Sequence, residues 1–120
     1  MALKDIRGRD GEDRAADYLL AAGYRVVDRN WRCSEGEIDI VATRGASLVI
    51  VEVKTRRTAW FGHPFEAVDA RKAARLWRLG AAWTRTHEPV ARGRRLQLDI
   101  IGITGEDPRT AILEHLEDVR

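Results

Sequence analysis

Residues 36–55 read GEIDIVATRGASLVIVEVKT, and this stretch decides the architecture. Leu48 to Val51 is an unbroken aliphatic run, which predicts one buried strand over Ser47 to Thr55, while Glu37 to Ala42 alternates polar with apolar residues as a second strand. Arg44-Gly45-Ala46 between them is short enough for an antiparallel hairpin. Strand residues two apart share a face, so Glu52 and Lys54 project together from the end of the core strand, and Asp39 shares a face with Glu37 and Val41. Pairing across the hairpin brings Asp39 beside Glu52 and Lys54. Stripping an ion of water is costly, so charges buried there have to be compensated.

On the N-terminal side, Ala15, Ala16, Leu19 and Leu20 recur at helical spacing between about Arg9 and Ala22, with Gly23 as the stop, and Tyr24 to Trp31 follows as a strand. On the other side, Arg56 to Pro64 is too irregular for a regular element and forms a loop that can overhang a site. Asp69 caps a second helix running to about Arg85, with Ala73, Leu76, Leu79, Gly80 and Trp83 on one side and Arg71, Arg75, Arg78 and Arg85 on the other. His87 to Arg95 is a basic connection, Leu96 to Ile103 a fourth strand and Ala111 to Leu116 an edge strand. The order αβββαβ(β) predicts a single α/β domain over residues 1–120, a central mixed β-sheet flanked by helices.

A chain of 120 residues supports one core without disulfides or a structural metal. Cys33 is alone, and no Cys/His cluster has zinc spacing, which fits a reducing, cytoplasmic setting. Charges run through residues 1–25, no apolar run approaches bilayer length, and neither export nor a membrane span is expected. The net charge of +2 hides an asymmetry: nine basic residues face ten acidic ones over 1–55, ten face three over 56–95, and two face six over 96–120. The basic middle makes a polyanion a candidate partner, with a solvated surface as the alternative.

Glu12 occupies the stripe of the first helix that also holds Ala16 and Leu19, an odd place for an acid. Glu12, Asp39, Glu52 and Lys54 would then meet at one sheet edge with two negative charges in excess, a balance that a divalent cation restores. Hard oxygen donors suit Mg²⁺ or Mn²⁺, and such an ion with an adjacent lysine matches phosphodiester hydrolysis. Of the surrounding residues, Trp60 and Phe61, near Arg56 and Arg57, are better candidates to stack on bases than Trp77 and Trp83, which suit the core. His63 reads as a loop residue, Glu37 faces outward or orients Lys54, and Asp99 admits either a structural hydrogen bond or a site role.

Gly11-Glu12, the Gly36–Ala42 segment and Val51-Glu52-Val53-Lys54-Thr55-Arg56 closely resemble the YraN family of bacterial proteins, predicted nucleases. The likeness continues through Gly62, Pro64, Ala67-Val68 and Lys72 to Leu98-Asp99-Ile100-Ile101. Through that family the chain is similar to the restriction-endonuclease-like PD-(D/E)XK superfamily, archaeal Holliday-junction resolvases especially, although Ile38 stands where the superfamily's name has Pro. The resemblance implies a Mg²⁺-dependent DNA endonuclease, with branched DNA as substrate and a homodimer as assembly by analogy with resolvases. It implies that Asp39 and Glu52 ligate the metal with the Val53 carbonyl, that Lys54 serves the attacking water, and that Glu12 completes the acidic site. Arg56, Arg57, Arg71, Arg75, Arg78, Arg92, Arg94 and Arg95 form the expected phosphate-contacting pool. The rival expectation is a non-catalytic nucleic-acid-binding protein or scaffold on the same fold.

Overall fold

The computed structural model describes residues 3–60 and 62–120, with the backbone alone for 3–5; Phe61 therefore lies outside the described residues. The elements are α1 (Leu3–Ala21), β1 (Arg25–Cys33), β2 (Gly36–Arg44), β3 (Ser47–Arg56), a 3₁₀ turn (Pro64–Ala67), α2 (Ala70–Thr86), the short α3 (Glu88–Ala91), β4 (Arg95–Thr104) and β5 (Ile112–Leu116). The 3₁₀ turn begins at Pro64, where the expected irregular loop ends, α3 falls inside the connection expected over His87 to Arg95, and α1 begins earlier than its apolar stripe does. Helix α1 ends as Gly23 predicts. The Tyr24 amide bonds the Leu19 carbonyl at 2.9 Å and the Gly23 amide bonds that of Leu20 at 3.2 Å, with Gly23 at a φ of 91° that side-chain-bearing residues avoid.

The sheet order follows the chain, β1-β2-β3-β4-β5. Only β3 and β4 are parallel, joined by the α2 crossover; the other three pairings are antiparallel. Such a mixed sheet needs cover on both faces of its parallel pair, and it has it. Ala15, Ala16 and Leu19 of α1 pack on Ile40, Ala42, Val49, Val51, Ile101 and Ile103, while Leu76, Leu79 and Trp83 of α2 pack on Ile38, Val41, Leu48, Ile50 and Leu98. Leu20, expected on the buried stripe of α1, is exposed. No helix among the described residues is long and apolar enough to cross a membrane.

Two departures from regularity position the site. First, the β2–β3 ladder stops at the Ile40–Val51 pair. Yet β2 runs back to Gly36 along β1, and β3 runs on to Arg56 along β4, so the two central strands part into a fork. Second, Asn30 on β1 adopts a positive φ of 54°, and the pairing of β1 with β2 passes over it and Asp39. Side-chain alternation slips at this point: Ile38 packs in the α2 layer with Val41, whereas Ile40 packs in the α1 layer. The expected unbroken alternation from Glu37 to Ala42 is thereby corrected.

Candidate active site

Asp39 points into the fork. Its Oδ2 accepts a hydrogen bond from the Val53 amide at 2.9 Å, so a carboxylate takes the place of the ladder partner that β3 loses when β2 diverges. Burial pushes the Asp39 carboxyl up to about 8, and the charge of Glu52 adds to the rise; the Val53 amide opposes it, while a hydrogen bond with Glu52 and the charge of Glu12 reinforce it.

Glu52 is 4% exposed and is held by two ammonium groups on one oxygen, with Lys54 Nζ at 3.3 Å and Lys72 Nζ at 3.1 Å from Oε2. Lys54 comes from the same strand, two residues on; Lys72 comes from the first turn of α2, which Asp69 caps by accepting from the Lys72 amide at 2.8 Å. Glu12 has its own partners. Its Oε1 accepts from Arg29 Nη2 at 3.0 Å, Arg29 Nε at 3.2 Å and Asn30 Nδ2 at 2.9 Å.

The excess of two negative charges expected from Glu12, Asp39, Glu52 and Lys54 is reduced: Arg29 and Lys72, distant in sequence, add two cations, although Arg29 also pairs with Asp13 at 2.7 Å. Among these acids, only Asp39 has no cation partner among the described residues. Nor do the three carboxylates form one compact ligand set, since among the described residues only Asp99, His115 and Glu117 come together within 4.8 Å as a trio. That trio is already satisfied. Asp99, fully buried, accepts from His115 Nε2 at 2.7 Å, Gln97 Nε2 at 3.0 Å and the Asp118 amide at 3.0 Å; His115 Nδ1 meets Tyr18 Oη at 2.9 Å, and Arg44 pairs with Glu117 at 3.2 Å. Burial alone would raise the Asp99 carboxyl, but these hydrogen bonds outweigh it and hold it below its usual range. Of the two readings of Asp99, the structural hydrogen bond describes its surroundings.

Two cavities meet at the fork. The larger, about 1020 Å³, lies on the α1 side, where Glu12, Glu37 and Asp39 face Arg7, Arg9, Arg32, Lys54, Arg56 and Arg57. The smaller, about 290 Å³, opens on the α2 side beside Lys72 and Arg75, and Glu37, Asp39, Val53 and Lys54 border both. Glu37 pairs with Arg32 at 3.3 Å rather than with Lys54. Gly11 explains its place in the Gly11-Glu12 pair: a Cβ there would lie 2.2 Å from Thr55 Oγ1, so the missing side chain lets α1 settle on β3 and turn Glu12 toward the cleft.

The expected arginine pool divides. Arg56 and Arg57 line the larger cleft, Arg57 also reaching Glu106 at 3.1 Å. Arg71, Arg75 and Arg78 are exposed along α2. Arg92, Arg94 and Arg95 sit elsewhere, because Arg95 faces Ser47 at the start of β3, seven residues and roughly 20 Å from Lys54. There Arg92 pairs with Glu88, Arg94 donates to the carbonyls of Gly45 and Val90, and Arg95 pairs with Asp118. Arg7, Arg9 and Arg32 escaped the reading by charge blocks because they lie in the acidic first part of the chain; only the fold carries them to the cleft.

The class defined so far is an α/β domain with carboxylates and lysines set in the fork of a mixed sheet, under a basic cleft. A model of an uncharacterised protein family, UPF0102, matches residues 11–103. A UPF0102 protein of Arthrobacter sp. (strain FB24) is 54% identical over 119 residues, 99% of each chain. One of Leifsonia xyli subsp. xyli is 47% identical over 119 residues, again 99% of each, and one of Frankia casuarinae 43% over 116 residues, 97% of each. The chain belongs to the UPF0102 family.

Proposed function

We propose that the protein is a divalent-metal-dependent DNA endonuclease working at the β2–β3 fork. The observation that carries this reading is Asp39, a carboxyl in the fork beside Glu52 with no cation partner among the described residues, raised to about 8 first by burial and then by the charge of Glu52. Two adjoining carboxylates are a hard-oxygen donor set that fits Mg²⁺ or Mn²⁺, and Asp39 and Glu52 would hold the ion. When bound, the ion supplies a Lewis acid for a phosphoryl oxygen and lowers the pKa of a water. Lys54, bordering both cavities, would orient the attacking water and face developing negative charge. Glu12, committed to Arg29 and Asn30, braces α1 against β1 at the cleft wall. A cleft of about 1020 Å³ with six cations on its walls suits a polyanion better than a small neutral ligand. Branched DNA and a homodimer belong to this proposal by analogy with resolvases.

One observation favours the non-catalytic rival: Lys54 and Lys72 both pair with Glu52 and offset its charge. Incubation with supercoiled, flap and four-way-junction DNA in Mg²⁺, Mn²⁺ or EDTA separates the two. Metal-dependent cutting abolished by both Glu52→Ala and Lys54→Ala supports the enzyme. Cutting that both variants keep places the activity elsewhere, and binding without cutting supports the rival.

A further inference from the structure

Trp60 has the most exposed large apolar side chain among the described residues, at 85%. A lone exposed aromatic is ordinary on a protein surface, so it is the placement that matters. The backbone presenting this indole is held on both sides. Gly62 donates to the Ala59 carbonyl at 3.0 Å, and the Trp60 amide donates to Thr58 Oγ1 at 3.1 Å. Beyond the turn, His63 meets Glu114 at 2.7 Å and its Nδ1 accepts from the Phe65 amide at 3.1 Å; before it, the Arg56 carbonyl accepts from Gly105 at 2.9 Å. Arg57, three residues before Trp60, lines the larger cleft, so at most about 10 Å separates the backbone of Trp60 from that of this cleft-lining residue.

A tethered turn that holds a large aromatic ring in water, three residues along the chain from a cleft lined by Arg56 and Arg57, has the two parts of a single-strand site: cations for the backbone and a π-face for a base. We propose that Trp60 is a stacking platform for an unpaired base, which makes the substrate class DNA with single-stranded nucleotides next to the bound backbone. The inference rests on the nucleic-acid reading above and narrows it. In continuous duplex each base face is covered by its neighbours, so the indole gains nothing there unless a base is first extruded, at a cost.

The test compares binding, in EDTA, of a labelled single strand of about 20 nucleotides, a blunt duplex of the same length and that duplex carrying a single-stranded flap. Trp60→Ala should weaken single-strand and flap binding by roughly five- to hundredfold while leaving duplex binding within about twofold. Trp60→Phe should recover most of the loss, and indole emission quenched by the single strand in the wild type should stay unquenched in Trp60→Ala. Unchanged circular dichroism is expected for a side chain this exposed. Equal losses on all three DNAs, or none, overturn the stacking role while leaving the cleft reading intact. A wild type that binds none of the three overturns the cleft reading itself, and the stacking role with it.

Discussion

Lys72 of α2 lies 3.1 Å from the same Glu52 oxygen that Lys54 holds from within β3 at 3.3 Å. A crossover helix is thereby tied to the end of the strand it follows, across a carboxylate that is itself buried. Removing one partner of a buried pair is costly because it strands a charge, but Lys54 remains to share this one. Lys72→Met should therefore cost about 1 kcal/mol in urea denaturation rather than the full cost of an orphaned ion. In a Glu52→Gln background the same change should cost almost nothing; additive effects would mean that the pair is not coupled. Under the proposed activity, Lys72→Arg should retain more turnover than Lys72→Met.

Asp39 predicts the pH dependence of stability. Its carboxyl, ordinarily near 3.8, is raised to about 8 in the folded protein, first by burial and then by the charge of Glu52. Between those values the folded state keeps a proton that the unfolded chain has released, so this contribution is full below pH 3.8 and is lost as pH climbs through about 8. The metal-free wild type should show a falling thermal midpoint above pH 5, a range that excludes the titration of Asp99, and Asp39→Asn should flatten the fall. A cation on Asp39 and Glu52 favours the ionised form, so added Mg²⁺ or Mn²⁺ should raise the midpoint more at pH 8 than at pH 5. Equal gains at both pH values would count against a metal held by Asp39.

Gly11→Ala sets helix propensity against crowding. Alanine is favoured over glycine inside a helix by about 1 kcal/mol, yet its Cβ would meet Thr55 Oγ1 at 2.2 Å, and overpacking of that kind costs roughly 1–3 kcal/mol. The variant should be destabilised, and Thr55→Ala, which leaves only the Thr55 Cβ at 3.3 Å, should recover part of the loss in the double variant. A Gly11→Ala protein more stable than the wild type would show that α1 does not seat as closely as described.

What was legible in the sequence was local. The aliphatic run of β3, the hairpin through Gly45, the Asp69 cap and the apolar side of α2 each depend on neighbours a few residues away, and each appears in the fold. Asp39 and Glu52 follow directly on the last pair of the ladder, Ile40 with Val51, because a two-residue hairpin fixes the register of β2 against β3 up to the fork. The charge balance was not legible, because Arg29 and Lys72 reach Glu12 and Glu52 from elements placed by tertiary packing. The slip in alternation at Asp39 was hidden too, since it accompanies a positive φ at Asn30 on the neighbouring strand, a conformation that its residue type permits without requiring.

The division of the arginines yields the last prediction. In sequence, Arg92, Arg94 and Arg95 belong to the basic block, whereas Arg9 and Arg32 belong to a part with net negative charge; in space Arg9 and Arg32 join Arg56 of the basic block on the cleft, and Arg92, Arg94 and Arg95 lie away from it. Each phosphate that a variant no longer neutralises flattens the slope of log affinity against log salt by about 0.9 on duplex DNA. Replacing Arg9, Arg32 and Arg56 together by Ala should therefore reduce that slope by about two to three, while the Arg92/Arg94/Arg95 triple should leave it within about 0.5 of the wild type. Cations at the far end of β3 have carbonyls, Glu88 and Asp118 as partners and lie roughly 20 Å from Lys54, too far to hold the phosphates flanking a cut at the fork. If the far-end triple flattens the slope and the cleft triple keeps it, DNA lies on the opposite end of the sheet, and the fork cannot be where it is cut.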